Sequence, residues 1–363
     1  MAEPIDIVIL GTGSFAARIL FDLAATANAP LILAVAGRSR DRLDWLRTAA
    51  SARAHMFGRP LRCITRTVDL LDPDATMELL ERCRPGVVVQ AASLQSGSVI
   101  SATGNAWSQI VAEGGLSATA IFQALLSMRV AQALRRAYPA AQLINCCFPD
   151  VVNGIIAAAG LPIACGIGNV AILAHAFAGA LPEAEGRSLK VLAHYQTIAP
   201  WRRPKQDRSG PLPRAWIGDE ELVDVLTRFA EVRLTPEPVI DISGASGAAL
   251  IEAMAVGAAW QGHAPGPNGL LGGYPVRLRA GELMLDLPAG LPHDEAVAWN
   301  SGFEATNGLF LEHGRVRYTG RLYERLRRAS PELAEGFAVA DIDTVYDDMA
   351  ALRTRLQAQT SLD

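Results

Sequence analysis

Residues 5–16, which read IDIVILGTGSFA, decide the fold. An apolar run of strand length at residues 5–10 leads directly into a G-x-G-x-x-A pattern. Gly11 permits a tight turn, Gly13 lets the backbone approach a pyrophosphate, and Ala16 allows close helix–strand packing. A helix that opens here would turn its free N–H groups toward the anion. The pattern predicts a dinucleotide site at Gly11, Thr12, Gly13, Ser14, Phe15 and Ala16. The alternative is a tight glycine turn that binds nothing.

The same alternation continues beyond this turn. Short apolar runs predict strands at residues 5–10, 31–36, 62–68, 86–91 and 142–146. Helical patterns lie between them at residues 14–25, 41–57, 74–82 and 117–138. Alternation of this kind indicates βαβ units. We therefore predict an α/β fold in which a doubly wound parallel Rossmann sheet is followed by an α+β catalytic domain.

After Asn169 the pattern changes. We predict a strand at residues 189–196, helices at 220–233, 244–260 and 343–357, and a hairpin of residues 275–279 and 283–287. The Ser-, Gly- and Thr-rich residues 91–116 read as a mobile loop at a strand end, where ligands of such sheets bind. The predicted domains are 1–162, which binds the nucleotide, and 163–363, for substrate, catalysis and oligomerisation.

Composition excludes several classes of protein. The 363 residues are 50% hydrophobic, carry a net charge of -4 and contain no apolar run long enough for a bilayer. A mildly acidic chain is not typical of nucleic-acid binding. Five cysteines without zinc-type spacing, and no leader pattern, favour a reduced cytoplasmic protein with no metal site. Cys146 and Cys147 are interpreted as core thiols.

The end of the second predicted strand indicates which nucleotide binds. An NAD site usually has an acid there for the ribose 2′-OH, but this tip reads Gly37-Arg38-Ser39-Arg40. Guanidinium groups and a hydroxyl suit a 2′-phosphate instead. The sequence therefore favours NADP (NADPH), and a solvated basic turn is the alternative.

Later motifs follow the order of a known family. Residues 143–152 read LINCCFPDVV, residues 166–172 read GIGNVAI, and Leu192-Ala193-His194-Tyr195 follows. Ser243-Gly244-Ala245-Ser246 and Gly273-Tyr274-Pro275-Val276 continue the series. In this order the chain resembles the lactate/malate dehydrogenase superfamily over most of residues 5–290. The resemblance implies a catalytic role for His194 and puts Asn169 where the family has its orienting aspartate. It also implies a homodimer or homotetramer.

Departures from the family narrow the substrate. The family has an arginine on the loop after strand four, yet residues 91–128 contain no arginine or lysine. Its carboxylate-clamping arginine is matched by VAIL at residues 170–173. A buried 2-oxo carboxylate without a guanidinium partner would be strongly unfavourable. Asn169 can accept from the imidazole of His194 but cannot stabilise an imidazolium as an aspartate would.

These features predict an NADPH-dependent reductase for a carbonyl or imine compound that is not a small 2-oxo acid, and a biosynthetic step would suit such a pocket. The nicotinamide would lie near Ala91, Ala92 and Ser93. His194 would donate the proton, and a structural residue at a strand end is its alternative. Gln196, Ser246 and Arg202 are candidate substrate residues. Ser246 as a helix cap and Arg202 in a solvated basic loop are the alternatives. The other hypothesis for the chain is a non-catalytic NADP-binding scaffold or sensor.

Overall fold

A computed structural model describes residues 5–95, 103–235 and 239–361 of the chain. The first half is built on a six-stranded parallel sheet of order β3-β2-β1-β4-β5-β6. Its strands are β1 (Ile7–Leu10), β2 (Leu31–Gly37), β3 (Leu61–Thr67), β4 (Val87–Gln90), β5 (Gln142–Asn145) and β6 (Cys165–Gly166). The predicted doubly wound α/β fold is confirmed.

Helices cover both faces of this sheet. They are α1 (Ser14–Thr26), α2 (Arg40–Met56), α3 (Pro73–Cys83), α4 (Ala106–Gly114), α5 (Ala120–Ala137) and α6 (Val151–Ala158). Local sequence explains where several begin. The Ser39 hydroxyl accepts from the Arg42 N–H at the start of α2, and Asp72 caps α3 just before Pro73. All four residues of β1 are buried, as expected for a strand covered on both faces.

The second half contains three small antiparallel sheets. Their strands are β7 (Leu189–Leu192), β8 (Arg214–Ile217), β9 (Glu220–Glu221), β10 (Trp260–Pro265), β11 (Gly273–Arg279), β12 (Glu282–Leu285), β13 (Leu309–Glu312), β14 (Arg315–Tyr318) and β15 (Phe337–Ala338). The helices are α7 (Val170–Ala178), α8 (Glu183–Ser188), α9 (Val225–Arg228), α10 (Ile240–Ala245), α11 (Ala248–Val256), α12 (His293–Thr306), α13 (Gly320–Ala329), α14 (Pro331–Ala334) and α15 (Ile342–Gln357). The predicted hairpin is β11–β12, and the predicted C-terminal helix is α15.

Three predictions about this half were wrong. The expected helix over residues 220–233 is a two-residue strand and the short α9, because Gly218 with a φ of 64° turns the chain back onto β8. The expected helix over 244–260 breaks at Gly247, where a Cβ would lie 2.5 Å from Ile167 Cδ1. The strand expected over 189–196 ends at Leu192, so His194 lies beyond it.

The segment after β4 also differs from the expected loop. Helix α4 occupies part of residues 91–116, with Trp107 buried and packed edge-on against Phe122. Residues 96–102 of that loop lie outside the described residues. Strand β6 extends the parallel sheet to Gly166, past the predicted domain boundary at residue 162. The division of the chain into two domains stays a prediction. No helix in the described part is long and apolar enough to span a membrane.

Candidate active site

The glycine turn lies between β1 and α1. Gly11 has a φ of 121°, and a Cβ there would lie 2.9 Å from the Ala92 backbone nitrogen, so a side chain is excluded. Gly13 is exposed, and a Cβ on it would have no atom of the described residues within 4 Å. The first turn of α1 contains no acidic side chain, and Gly13 supplies no capping bond. This open helix N-terminus leaves backbone N–H groups and space for an anion.

The tip of β2 is close to this turn. A Cβ on Gly37 would lie 2.8 Å from Thr12 Cγ2, and Arg42 Nε donates to the Thr12 carbonyl at 3.1 Å. Arg38, Ser39 and Arg40 are exposed. Ser39 is occupied as the cap of α2, whereas neither Arg38 nor Arg40 forms an ion pair among the described residues. The exposed guanidinium groups of Arg38 and Arg40 therefore have no carboxylate partner among the described residues, and they belong to a strand tip that adjoins the glycine turn.

The ends of β4 and β5 are bonded together at the same edge of the sheet. Ala91 and Ala92 are half-buried and Ser93 is exposed. The Ala92 carbonyl accepts from Gln90 Nε2 at 2.9 Å and from the thiol of Cys147 at 3.2 Å. Burial raises the pKa of the Cys147 thiol to about 11, which favours its interpretation as a core thiol.

His194 forms a buried pair with Glu304. Its Nε2 lies 3.2 Å from Glu304 Oε1, and each side chain is 1% exposed. The imidazole stacks on Phe303 with ring centroids 4.8 Å apart. The Gln196 backbone N–H lies 3.4 Å from Nδ1, which makes Nδ1 the acceptor and puts the ring proton on Nε2, toward the carboxylate.

Glu304 connects separate parts of the chain. Besides His194, its carboxylate accepts from the Ser117 hydroxyl at 2.7 Å and from the Leu309 backbone N–H at 3.2 Å. A carboxylate with several donors can remain charged in the interior. Glu304 is therefore the group that orients His194, a role that we had expected Asn169 to fill.

Asn169 contacts another acid. Its Nδ2 donates to Oδ1 of Asp150, a 5% exposed residue that follows Pro149 after β5. Asp150 Oδ2 has no hydrogen-bond partner among the described residues. Burial raises the pKa of Asp150 to about 6, with a further rise from Glu304, although His194 and Asn169 lower it. A carboxyl group with such a pKa can take up or release a proton near neutral pH.

The predicted substrate residues are less closely grouped. Gln196 adjoins His194 through its backbone N–H, which donates to Nδ1 of the imidazole. Ser246 follows α10 and its hydroxyl donates to the Ser243 carbonyl, so it is not the expected cap at the start of the small-residue helix. Arg202 is half-buried at the end of the 3-10 helix Tyr195–Arg202.

The basic loop after Arg202 is largely engaged within the chain. Arg203 donates to Ser209, Lys205 pairs with Glu231, and Arg208 donates to backbone carbonyls while its guanidinium lies 4.6 Å from the Trp201 ring centroid. These contacts favour a structural role for the loop over a role in binding the substrate.

Sequence reasoning did not select Asp150 or Glu304. Asp150 stands inside the quoted LINCCFPDVV, directly after Pro149, so its position was a usable signal. Glu304 carried no signal, because 110 positions separate it from His194. The described residues contain no group of three or more His, Cys, Asp or Glu side chains that could hold a metal ion. An apolar cleft of about 460 Å³, lined by Leu271, Val297 and Leu311 among others, includes none of the site residues.

No protein-family model matches the chain, and no curated protein matches it. Solved structures do match. Malate dehydrogenase from Picrophilus torridus in its apo form is 12% identical, with a TM-score of 0.55 over 95% of this chain and 99% of that one. Malate dehydrogenase from Cryptosporidium parvum is 13% identical, with a TM-score of 0.52 over 83% and 96%.

Lactate dehydrogenase from Cryptosporidium parvum, solved with lactic acid and β-nicotinamide adenine dinucleotide, is 14% identical. Its TM-score is 0.51 over 96% of this chain and 99% of that one. Identities this low establish architecture only. The chain has a lactate/malate dehydrogenase-like Rossmann fold.

Proposed function

We propose that the protein is a nicotinamide-dinucleotide-dependent oxidoreductase that works as an NADPH-dependent reductase. One observation carries the proposal. The open glycine turn after β1, the half-buried Ala91 and Ala92 after β4, and Asp150 after β5 all follow the carboxyl ends of adjacent parallel strands. Ligands of doubly wound sheets bind at that edge. Asp150 in turn interacts electrostatically with both members of the His194–Glu304 pair.

The residues around the turn fit a dinucleotide. Gly13 leaves room for a pyrophosphate at the uncapped N-terminus of α1, and Gly11 allows β1 to approach β4 closely. A bound nicotinamide would supply a hydride equivalent, and Ala91, Ala92 and Ser93 would line its position. The similar lactate dehydrogenase from Cryptosporidium parvum was solved with β-nicotinamide adenine dinucleotide, which supports a nicotinamide cofactor.

The preference for NADPH depends on the tip of β2. Exposed guanidinium groups at Arg38 and Arg40 provide charge for a 2′-phosphate, and no carboxylate precedes Asp41 there to accept from a 2′-OH. Ser39 already caps α2, so we assign it the smaller share of phosphate binding.

The substrate is not a small 2-oxo acid. The ionisable side chains that act on Asp150 are His194 and Glu304, and no lysine or arginine is among them. An anionic substrate carboxylate beside two protein carboxylates would be repelled and desolvated without compensation. A carbonyl or imine compound larger than lactate or malate fits this charge better.

A test should separate binding of the cofactor from turnover. NADPH and NADH affinities would be measured by fluorescence for the wild type and for Gly13→Ala. At Gly13 the φ of -71° suits alanine, and a Cβ there would contact no atom of the described residues. The ligand-free variant should therefore be as stable as the wild type. The added methyl should weaken dinucleotide binding at least roughly tenfold by occupying the pyrophosphate space. Equal affinity in both proteins would contradict the proposal.

Oxidation of NADPH by a panel of ketones and imines then tests catalysis. A non-catalytic nucleotide sensor is the second candidate, and one observation favours it. Both ring nitrogens of His194 are hydrogen-bonded within the protein, so a proton could leave it only if one of these bonds opened. Binding of NADPH without turnover of any panel member would select the sensor.

A further inference from the structure

We infer that the substrate carries a basic nitrogen at the reacting carbon, as an imine reduced to an amine, and that Asp150 is the catalytic residue that binds and protonates this nitrogen. The inference rests on the proposed reductase function and names its substrate class. It transfers the proton-donating role from His194 to Asp150.

The sign of the charge in the site is the first argument. Asp150 and Glu304 are both carboxyl groups, and the imidazole of His194 is already engaged, with Nδ1 accepting a backbone N–H and Nε2 facing Glu304. Every lysine and arginine of the sequence falls within the described residues, and none is among the charged groups acting on Asp150. Such a site attracts a cationic group and disfavours an anionic one.

The unmatched oxygen of Asp150 is the second argument. Asn169 donates to Oδ1, whereas Oδ2 is buried and has no partner in the part of the chain that the structure describes. A buried acceptor left without a donor costs about 1–3 kcal/mol, so a ligand N–H at this position would be stabilised. The Asn169 bond also orients the carboxyl group, which is the geometry that a proton-transferring side chain needs.

Protonation of Asp150 suits an imine. Burial raises the pKa of Asp150 to about 6, so the group gains and loses its proton near neutrality. The adjacent polar groups are His194, Glu304, Tyr195 and Tyr274, and burial raises the pKa of both tyrosines, which keeps them neutral. Proton transfer is most effective when the pKa of the donor lies near the working pH.

The reaction balances with NADPH as the reductant. The Asp150 proton passes to the imine nitrogen, which leaves a cationic C=N group beside the carboxylate. A C–H bond then forms with the hydride equivalent from the nicotinamide, and the π electrons become the nitrogen lone pair. The products are the amine and NADP⁺, and Asp150 regains a proton from solvent. The sum is imine + NADPH + H⁺ → amine + NADP⁺.

Binding of product analogues tests the inference apart from turnover. Calorimetry with NADP⁺ present would compare pyrrolidine, piperidine and tetrahydroisoquinoline with their ether counterparts tetrahydrofuran, tetrahydropyran and isochroman. An ammonium group on the Asp150 carboxylate should bind roughly ten- to a hundredfold tighter than the matched ether. Asp150→Asn should abolish this preference, whereas Asp347→Asn, an exposed control on α15, should keep it.

Wild-type protein gives a second measurement that needs no variant. Amine binding relative to ether binding should weaken as the pH falls through about 6, because Asp150 then becomes neutral. Equal affinity for amines and ethers, failure of all the amines to bind, or a preference that survives in Asp150→Asn would each overturn the inference. Turnover of ketones but no imines would also overturn it, and would leave the reductase proposal standing. Absent NADPH binding would instead contradict the reductase proposal.

Discussion

The two halves of this molecule are specified in different ways. Around the glycine turn, structure follows from neighbouring residues: β1, the turn and the start of α1 are continuous in sequence, and the Arg38–Arg40 tip is exposed. In the second half, the His194–Glu304 pair joins residues 110 positions apart, both almost completely buried. We expect changes at the exposed tip of β2 to have small effects on stability. We expect changes at the buried pair to have large effects, because each polar group there depends on a distant partner.

The largest effect is expected at Glu304. Glu304→Ala would leave three buried donors without their acceptor: His194 Nε2, the Ser117 hydroxyl and the Leu309 N–H. We expect a loss of about 3–5 kcal/mol in the free energy of unfolding, measured by urea denaturation. Glu304→Gln keeps an acceptor oxygen and should lose less. A loss in Glu304→Ala below about 1 kcal/mol would mean that the second half is no more interdependent than the surface.

His263 gives an intermediate effect that depends on pH. Its Nε2 accepts from the Val191 N–H at 2.9 Å, and burial, followed by His175 and Lys190, lowers its pKa to about 3. The folded-state pKa lies below the unfolded value of about 6.5, so this stability is complete above pH 6.5 and is lost as the pH falls toward 3.

Denaturation at pH 7 and pH 5 measures this loss. Between pH 7 and pH 5, the free energy of unfolding should fall by about 1–2 kcal/mol more in the wild type than in His263→Gln. Glutamine still accepts a hydrogen bond but does not titrate. His293→Gln, an exposed residue, is the matched control. Identical pH dependence in the wild type and His263→Gln would show that His263 does not resist protonation.

The smallest effect on stability is expected at the tip of β2. Replacing Arg38 and Arg40 with alanine should leave the unfolding free energy within about 0.5 kcal/mol of the wild type, because both side chains are exposed. The same change should weaken NADPH binding roughly five- to tenfold and leave NADH binding nearly unchanged. Arg62→Ala on β3 serves as a control for general charge loss. Equal losses for both dinucleotides would remove the case for a 2′-phosphate site.

The contrast between the halves also explains how far the sequence could be interpreted. The alternation of apolar and helical segments was sufficient to predict the parallel sheet, and the G-x-G-x-x-A pattern was sufficient to predict the position of the turn. Both signals are local in the sequence. Residues 220–233 looked helical, yet the turn at Gly218 pairs part of them with β8. The role given to Asn169 assumed the family's partner for His194. In the structure the partner of His194 is Glu304, which tertiary packing brings next to it. No periodic pattern in the sequence predicts a contact between residues so far apart.

Glu304 has a further consequence for how substitutions combine. Ser117 precedes α5, His194 follows β7 and Leu309 begins β13, yet all three donate to one carboxylate. Changes at Ser117 and His194 should therefore not add: once one donor is lost, the remaining geometry is free to relax, and the second change removes less. Evolution at these two distant positions would be epistatic, with the effect of each replacement set by the residue already present at the other.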